Sequence, residues 1–212
     1  MKTDAFSTRA LEYDSWYDGE EGRPLYTSEL ECLSPLVSHT PVLEVGVGTG
    51  RFAMHFSGSY GIDPAFGALE MAKKRGVRSV QGLGERLPFK DGVFGTVLIV
   101  LTLCFVKDPL EVLKEAERVI RRDGEVIICF IPVDSPWGRL YGEKKKKGSP
   151  FYRGARFYTF EEVGAFVRRA GLDVTRTRST LLQGPADSRR IEKPFEGPVK
   201  GAGFVCVKAA KA

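Results

Sequence analysis

The amino-acid sequence predicts an α/β fold with helices on both faces of a doubly wound, mostly parallel sheet of seven strands. Short strand-like runs alternate five times with stretches of helical spacing, which is typical of parallel strands joined by helical crossovers. The run 96–101 is apolar almost throughout, as expected for a strand covered on both faces. A loop rich in proline and glycine joins the last two runs, so we expect a hairpin-like pair and an antiparallel final strand.

The composition restricts the class of protein. The chain has 212 residues, 42% of them hydrophobic and 28% charged, values typical of one folded domain. Its net charge of +5 excludes neither an acidic small molecule nor RNA as a partner. The longest apolar stretch, 97–106, has about half of the ~20 residues that a membrane span requires. The acidic N-terminal region lacks the apolar segment of a signal peptide, which predicts a cytoplasmic protein without a membrane partner.

Amide and cysteine usage adds two expectations. The chain contains no asparagine and only Gln81 and Gln183, beside many charged residues, which is typical of thermophiles. The four cysteines are scattered without Cys-x-x-Cys spacing. Because Cys104 and Cys129 lie in strand-like runs, we interpret them as small buried hydrophobes. No metal site is predicted from these cysteines and the two histidines.

The strands and the first helices follow from local signals. Seven runs have strand character: 42–45, 59–62, 78–81, 96–101, 125–131, 172–182 and 202–208. One or two helices rich in aromatic residues are expected in the first 40 residues, and another helix can start in the segment 51–56. Asp63 followed by Pro64 predicts a cap and a first helical residue for a helix that reaches Arg75.

Two later helices also have capping signals. Asp108 followed by Pro109 repeats the order of cap and proline before a segment with apolar residues at helical spacing. Thr159 and Glu162 have the spacing of a capping box, which predicts a helix to residue 170.

A glycine-rich loop follows the first predicted strand. The residues are Glu44-Val45-Gly46-Val47-Gly48-Thr49-Gly50, followed by Arg51. Glycine lets the backbone approach a ligand closely, and a following helix N-terminus favours an anionic group. The dinucleotide fingerprint requires glycine where Arg51 stands, and the Gly-Lys-Ser/Thr of a P-loop is missing. The loop is therefore either a ligand-binding loop of another kind or a tight turn without a ligand.

Asp63 lies 17 positions after Gly46, at the end of the next predicted strand. An acidic residue at that place can accept hydrogen bonds from both ribose hydroxyls of a nucleoside. Capping of the following helix is the alternative. Both roles can hold together, because a carboxylate has about four acceptor sites.

Together with a second motif, these residues resemble the class I S-adenosylmethionine-dependent methyltransferases, whose fold is Rossmann-like. The second motif is Gly82-Leu83-Gly84-Glu85-Arg86-Leu87-Pro88-Phe89, followed by Asp91 and Phe94. The chain looks most like the small type 11 group that includes the quinone-biosynthesis methyltransferases, over about residues 42–131. The resemblance implies methyl transfer from S-adenosylmethionine, with S-adenosylhomocysteine as the product.

The resemblance also implies a cofactor site made of Glu44, Gly46, Val47, Gly48, Gly50, Asp63, Pro64, Gly84, Glu85, Val100 and Leu101. Glu44 would hold the ammonium of the methionine moiety, and Asp63 would take the ribose with Pro64 beside the adenine. The glycine loop would pass beside the methionine moiety, and the backbone near Glu85 would face the adenine edge. The end of the fourth strand would flank the departing methyl group.

The chain departs from the family pattern in three places. Leu83-Gly84 replaces the usual Asp-Ala, so Glu85 or a backbone carbonyl would have to accept the hydrogen bond of the adenine amine. Gly95 replaces an aspartate after the phenylalanine of the fourth strand, which concerns packing. Cys104-Phe105 replaces paired histidines that could serve as a base, and His39 and His55 are interpreted as surface or packing residues. No catalytic residue is therefore assigned.

The resemblance divides the chain, one domain over residues 1–212, into four segments. We expect an N-terminal helical lid at 1–40, a cofactor-binding core at 41–131, a substrate-side insertion at 132–158, and a C-terminal helix and strand pair at 159–212. The lid and the insertion supply the candidate acceptor-binding residues Tyr13, Trp16, Tyr17, Trp137, Tyr141 and Arg153. The aromatic residues of the lid either form a cage for a cationic amine or anchor the helix on the sheet, and arginine can grip a carboxylate or phosphate.

The leading hypothesis is transfer of a methyl group to a nitrogen, oxygen or carbon atom of a small molecule. In-line displacement needs mainly positioning of the acceptor. One alternative is an RNA methyltransferase that uses the lysine run 144–147, and another is a non-catalytic cofactor-binding domain. A nicotinamide-dependent dehydrogenase is a further alternative, against which Arg51 speaks. A monomer and a homodimer both stay open.

Overall fold

A computed structural model of the chain describes residues 5–187 and 190–212. Its helices are α1 Ala5–Thr8, α2 Ala10–Ser15, α3 Gly22–Leu33, α4 Phe66–Lys74, α5 Pro109–Val119, α6 Pro136–Lys146 and α7 Phe160–Arg169. Its strands are β1 Val42–Val45, β2 Tyr60–Asp63, β3 Arg78–Gln81, β4 Phe94–Val100, β5 Ile120–Phe130, β6 Leu172–Thr180, β7 Phe195–Glu196 and β8 Phe204–Lys211. Single 3₁₀ turns follow α2, follow α3 and precede β2.

The strands form one sheet in the order β3-β2-β1-β4-β5-β8-β6-β7. The first five strands in this order are parallel to one another, and β8 pairs antiparallel with both β5 and β6. The predicted doubly wound fold and antiparallel final strand are confirmed. An eighth strand, β7, was not predicted because its two residues are too few for a strand pattern. The strand order reverses between β1 and β4, and a crevice at the carboxyl ends of strands is expected there.

Both faces of the sheet are covered by helices. In β4, Val97 and Ile99 belong to the core cluster with α5 and α7. Leu98 and Val100 belong to the cluster with α3 and α6 on the other face. Every residue of β1 and β4 is buried, which explains why these strands are apolar apart from Glu44 and Thr96.

Two of the predicted helix starts are confirmed, and two others are wrong. The carboxylate of Asp108 accepts hydrogen bonds at the start of α5, and Thr159 caps α7 in a complete capping box. Asp63 does not cap α4, which begins only at Phe66. The segment 51–56 holds only the 3₁₀ turn Ala53–His55. Gly58, with φ +67°, follows this turn just before β2, so the segment has room for one turn only.

The structure pairs two of the cysteines. Cys129 on β5 and Cys206 on β8 are direct partners in the antiparallel ladder and form a disulfide. Cys129 is buried as predicted, but it is not a free thiol. The bond was not predicted because its ends are 77 positions apart, so no local spacing indicated it. None of the helices in the described ranges is both long and apolar enough to cross a bilayer.

Candidate functional site

A crevice of about 1230 Å³ lies at the carboxyl ends of β1, β2 and β4. The predicted cofactor residues that line it are Glu44, Gly46, Val47, Gly48, Asp63, Pro64, Gly84, Glu85, Val100 and Leu101. Gly50 is the one predicted residue that does not line it. A Cβ at Gly50 would come within 3.0 Å of the Ala72 backbone, so this glycine serves the packing of the loop against α4.

The glycine loop is shaped by its neighbours on β2 and after β4. The amides of Gly46 and Val47 both donate to the Ile62 carbonyl, at 2.8 and 3.1 Å. Gly46 has φ +74°, and a Cβ there would overlap the Thr102 side chain. Only glycine therefore fits between β1 and the turn that follows β4. Thr102, which the sequence analysis did not single out, is thus part of the crevice wall.

Asp63 connects the end of β2 with the glycine loop. Its Oδ2 accepts the Gly48 amide at 2.9 Å, and its Oδ1 accepts the Ala65 amide at 2.8 Å. The carboxylate therefore turns toward the crevice instead of capping α4. Backbone donors thus hold the carboxylate in place, where it can accept hydrogen bonds from vicinal hydroxyls.

Glu44 brings a buried carboxyl into the crevice. Its side chain is buried, and its Oε2 has no hydrogen-bond partner among the described residues. Burial raises the pKa of this carboxyl well above its usual value, and the nearby Asp63 raises it further, although a backbone hydrogen bond from Ala53 lowers it. A buried, unpartnered acceptor is costly in isolation, so it fits a bound ligand with a cationic or donor group.

Leu83 and Gly84, in the loop after β3, also line the crevice. Leu83 is 57% exposed, and its apolar side chain cannot form a hydrogen bond with a ligand. A Cβ at Gly84 would lie 2.7 Å from the Val45 side chain, so glycine lets this loop pack closely on β1. The carboxylate of Glu85 accepts the Lys107 amide at 2.9 Å, which ties the loop to the segment before α5.

A buried ion-pair network fastens the N-terminal segment to the glycine loop. Arg51 donates to both carboxylate oxygens of Asp14 at 2.9 and 2.7 Å, and Arg75 donates to the same oxygens at 2.8 and 2.7 Å. Thr49 and Asp18 complete the network. Burial raises the pKa of Asp14, but the hydrogen bonds from Arg51, Arg75 and Thr49 outweigh it and hold that pKa well below its usual value.

This network explains why arginine stands where a dinucleotide-binding loop has its third glycine. Together with Thr49, Arg51 connects the loop to α2, so it is part of the architecture of the site. The sequence marked Arg51 only as a departure, because its partner Asp14 lies 37 positions earlier in the chain.

A second cavity, of about 470 Å³, adjoins the crevice, and we call it the chamber. The two cavities share wall residues: Tyr13, Tyr17, Leu101, Phe105, Pro150 and Phe151. The shared Leu101 has φ +54°, a left-handed backbone conformation that costs a leucine roughly 1–3 kcal/mol. Strain of this kind is concentrated at functional sites, and here it lies where the cavities meet.

Aromatic rings from three segments close over both cavities. Phe6 of α1 packs edge-on to Tyr13 and Phe105, with ring centroids 5.2 and 5.0 Å apart. Phe151 lies 5.3 Å from Tyr13 and 5.5 Å from Phe6. The N-terminal helices and the segment after α6 therefore meet above the site.

The predicted acceptor-binding residues are distributed over three places. Tyr13, Trp16, Tyr17 and Tyr141 line the chamber, and Arg153 lines the crevice. Trp137 lines neither cavity: it is buried in the core, and its indole N–H donates to the Gln183 carbonyl at 3.0 Å. Phe105, Phe151 and Tyr152 line the chamber as well.

The two histidines lie outside both cavities. The His55 Nε2 is 2.8 Å from the Tyr26 hydroxyl, and burial lowers the pKa of this imidazole. The backbone carbonyl of His39 accepts a hydrogen bond from Thr96 in the core. His55 is exposed and His39 is half-buried, which agrees with their interpretation as surface or packing residues.

Glu29 of α3 is a chamber residue that the sequence did not indicate. It is only 6% exposed, and no described residue donates a hydrogen bond to its carboxylate. Burial raises the pKa of this carboxyl to about 8. Its helical spacing from Leu25 and Leu33 places it on the buried face of α3, but the cavity beside that face has no local signal in the sequence.

Glu29 makes the stability of the protein depend on pH in a defined direction. Its pKa is 4.5 ordinarily and about 8 in the fold, so its stabilising contribution is complete below about pH 4.5 and is lost as pH rises to 8. Glu29→Gln removes this loss. As pH rises from about 5 to about 9, we expect the free energy of unfolding to fall by a few kcal/mol less in the variant than in wild type. Urea titration at each pH measures this difference.

Glu31→Gln is the matched control, because it makes the same change at an exposed position of the same helix. Its pH profile should follow wild type. Identical profiles for the Glu29 variant and wild type would contradict the prediction.

Comparisons with known proteins identify the family of the chain. A family model described as a methyltransferase domain matches residues 43–128. An uncharacterized protein of Mycobacterium tuberculosis is 42% identical over 203 residues, which are 94% of this chain and 71% of that protein. A demethylmenaquinone methyltransferase of Streptomyces griseus is 32% identical over 117 residues, 51% of each chain.

Among solved structures, an S-adenosylmethionine-dependent methyltransferase of Thermotoga maritima, described as a possible histamine N-methyltransferase, is similar to nearly the whole chain. It is 37% identical with a TM-score of 0.90, and the match covers 98% of both chains. The chain therefore belongs to the S-adenosylmethionine-dependent methyltransferases of class I fold, and S-adenosylmethionine is its cofactor.

Proposed function

We propose that this protein methylates a small molecule bound in the chamber, with the cofactor in the crevice. The observation that supports this most is the shared wall of the two cavities at Leu101, Tyr13 and Phe105. A transferable group in one cavity and its acceptor in the other would meet at this wall. A chamber of about 470 Å³ under an aromatic roof has the size of small-ligand pockets.

The residues of the crevice fit S-adenosylmethionine. Glu44, with its unpartnered buried oxygen, would hold the ammonium of the methionine moiety. Asp63 would bind the ribose hydroxyls, and Pro64 would lie beside the adenine. The backbone at Gly84 and Glu85 would face the adenine edge, and Val100 and Leu101 would flank the methionine.

The bound cofactor supplies a methyl group that is already activated by its sulfonium. The chain supplies position and exclusion of water: Phe6, Phe105 and Phe151 cover the site, and Leu101 lies where the two cavities meet. The acceptor lone pair forms the new bond to the methyl carbon as the carbon–sulfur bond breaks, and that electron pair stays on sulfur. Orientation of this kind can lower the activation free energy by about 7–11 kcal/mol.

The lysine run 144–147 supports an RNA substrate less well. The Lys144 ammonium lies 5.1 Å from the centre of the Tyr141 ring, and the Lys145 ammonium donates to the Ala155 carbonyl at 2.6 Å. Two of the four lysines are therefore engaged with the protein itself. If RNA were the acceptor, affinity for tRNA would fall steeply with added salt, whereas a flat response would remove this alternative.

Calorimetry and a turnover assay test the proposal. We expect S-adenosylhomocysteine to bind with a Kd well below ~1 mM, and S-adenosylhomocysteine to form when S-adenosylmethionine is mixed with amines, phenols or thiols. No binding would reject the proposal. Binding without turnover of any acceptor would favour the alternative of a non-catalytic cofactor-binding domain.

A further inference from the structure

The chamber contains one carboxylate without a counter-ion. The carboxylates that line it are Glu12 and Glu29. Glu12 is exposed and bonded to Arg9 through two contacts of 2.6 Å. Glu29 is buried, and neither a hydrogen bond nor an ion pair reaches it from any described residue. The Glu29 carboxyl group, whether ionised or protonated, therefore faces an interior space without a partner from the described residues.

The groups around Glu29 are of the kind that surround a cation. Its charge raises the pKa of the Tyr13, Tyr17 and Tyr141 hydroxyls, so all three lie within its field, although burial is the larger cause in each case. The Tyr13 and Tyr17 hydroxyls are 3.1 Å apart and bond to each other. Aromatic faces attract cations, and the effect is larger where water is excluded.

The remaining titratable groups of the lining do not neutralise Glu29. The ammonium of Lys144 lies over the Tyr141 ring. Burial raises the pKa of the Cys104 thiol to about 12, so this group stays neutral. Burial likewise raises the pKa values of Tyr152 and Tyr158.

We propose that Glu29 determines acceptor specificity by pairing with the ammonium of a small amine whose apolar body lies among Tyr13, Tyr17 and Tyr141. Before methyl transfer the ammonium would pass one proton to the Glu29 carboxylate, which leaves the acid on Glu29 and frees the nitrogen lone pair. The proposal rests on the function proposed above and adds the chemical class of the acceptor. A phenol or thiol would leave Glu29 as the neutral acid and gain no ion pair from it, whereas an ammonium offsets the desolvation of the ionised carboxylate. Glu29 would thus select amines over neutral molecules of equal size.

Binding of 2-phenylethylamine and of its neutral analogue 2-phenylethanol tests this proposal. With wild-type protein in the presence of S-adenosylhomocysteine, we expect the amine to bind at least about tenfold more tightly than the alcohol. Glu29→Gln should weaken the amine about 30-fold or more and leave the alcohol unchanged, while Glu31→Gln should resemble wild type. Equal binding of amine and alcohol to wild type, or no binding of the amine up to 10 mM, would overturn the proposal.

Proton release gives a readout that a purely structural role of Glu29 would not move. Near pH 7 the Glu29 acid is mostly protonated, and pairing with an ammonium favours its ionised form. Binding of the amine should therefore release the Glu29 proton to the buffer. The binding enthalpies measured in phosphate and in Tris should then differ for wild type and not for Glu29→Gln. Equal enthalpies in the two buffers for wild type would contradict the pairing.

Failure of this proposal can be told apart from failure of the proposed function. If S-adenosylhomocysteine does not bind, the methyltransferase function fails, and the amine and alcohol are then compared on the protein alone. If S-adenosylhomocysteine binds and only neutral acceptors are methylated, the function stands and the role of Glu29 is wrong.

Discussion

Asp14→Asn is expected to destabilise the protein by about 3–5 kcal/mol. The side chain of Asp14 is only 5% exposed and is the common partner of Arg51 and Arg75. The variant would leave the two guanidinium groups, which are 10% and 22% exposed, short of a counter-charge. Urea unfolding measures the loss, and calorimetry with S-adenosylhomocysteine should show weaker binding because Arg51 and Thr49 belong to the glycine loop.

Asp18→Asn is the matched control for this variant. Asp18 also pairs with Arg51, at 2.6 Å, but its side chain is 64% exposed. An exposed ion pair contributes at most about 1 kcal/mol, so this variant should stay close to wild type in both measurements. Equal losses for the two variants would show that burial of Asp14 does not anchor the N-terminal helices.

Asp63→Ala is expected to weaken binding of S-adenosylhomocysteine at least about 100-fold, which corresponds to about 2.7 kcal/mol. The change removes the acceptor proposed for the ribose. It also removes the partner of the Gly48 amide and so releases one side of the glycine loop. Calorimetry on protein shown to be folded measures the effect.

Two further variants make this experiment specific. Asp63→Asn keeps the size of the side chain and should fall between wild type and Asp63→Ala. Asp173→Ala changes an exposed aspartate of β6 and should bind as wild type does. Unchanged affinity in Asp63→Ala would contradict the assignment of the crevice.

The parts of the fold that could be predicted are those with local signals. The buried strand β4 and the caps Asp108 and Thr159 are recorded in a few adjacent residues, and the structure has them as predicted. Asp63 shows the limit of such signals. Aspartate before proline has the pattern of a helix cap, but the Gly48 amide, 15 positions earlier, competes for its carboxylate.

The candidate site also has parts with local sequence signals and parts without them. The residues that bring the glycine loop and Asp63 into one crevice were predictable, because they follow one another at a short and specific spacing. The Asp14–Arg51 network and Glu29 were not, since both depend on how the N-terminal helices fold back over the sheet. The helical spacing of Glu29 from Leu25 and Leu33 indicates the buried face of α3, but it does not indicate that this face lines a cavity.

The N-terminal helices have a thermodynamic consequence, because Tyr13 and Tyr17 form a wall of both cavities. Whichever ligand arrives first immobilises these rings and bears the loss of entropy, so the second ligand is bound at lower cost. The two affinities are therefore coupled, and the coupling is reciprocal by linkage. Cofactor and acceptor should each bind more tightly in the presence of the other, over and above any direct contact between them.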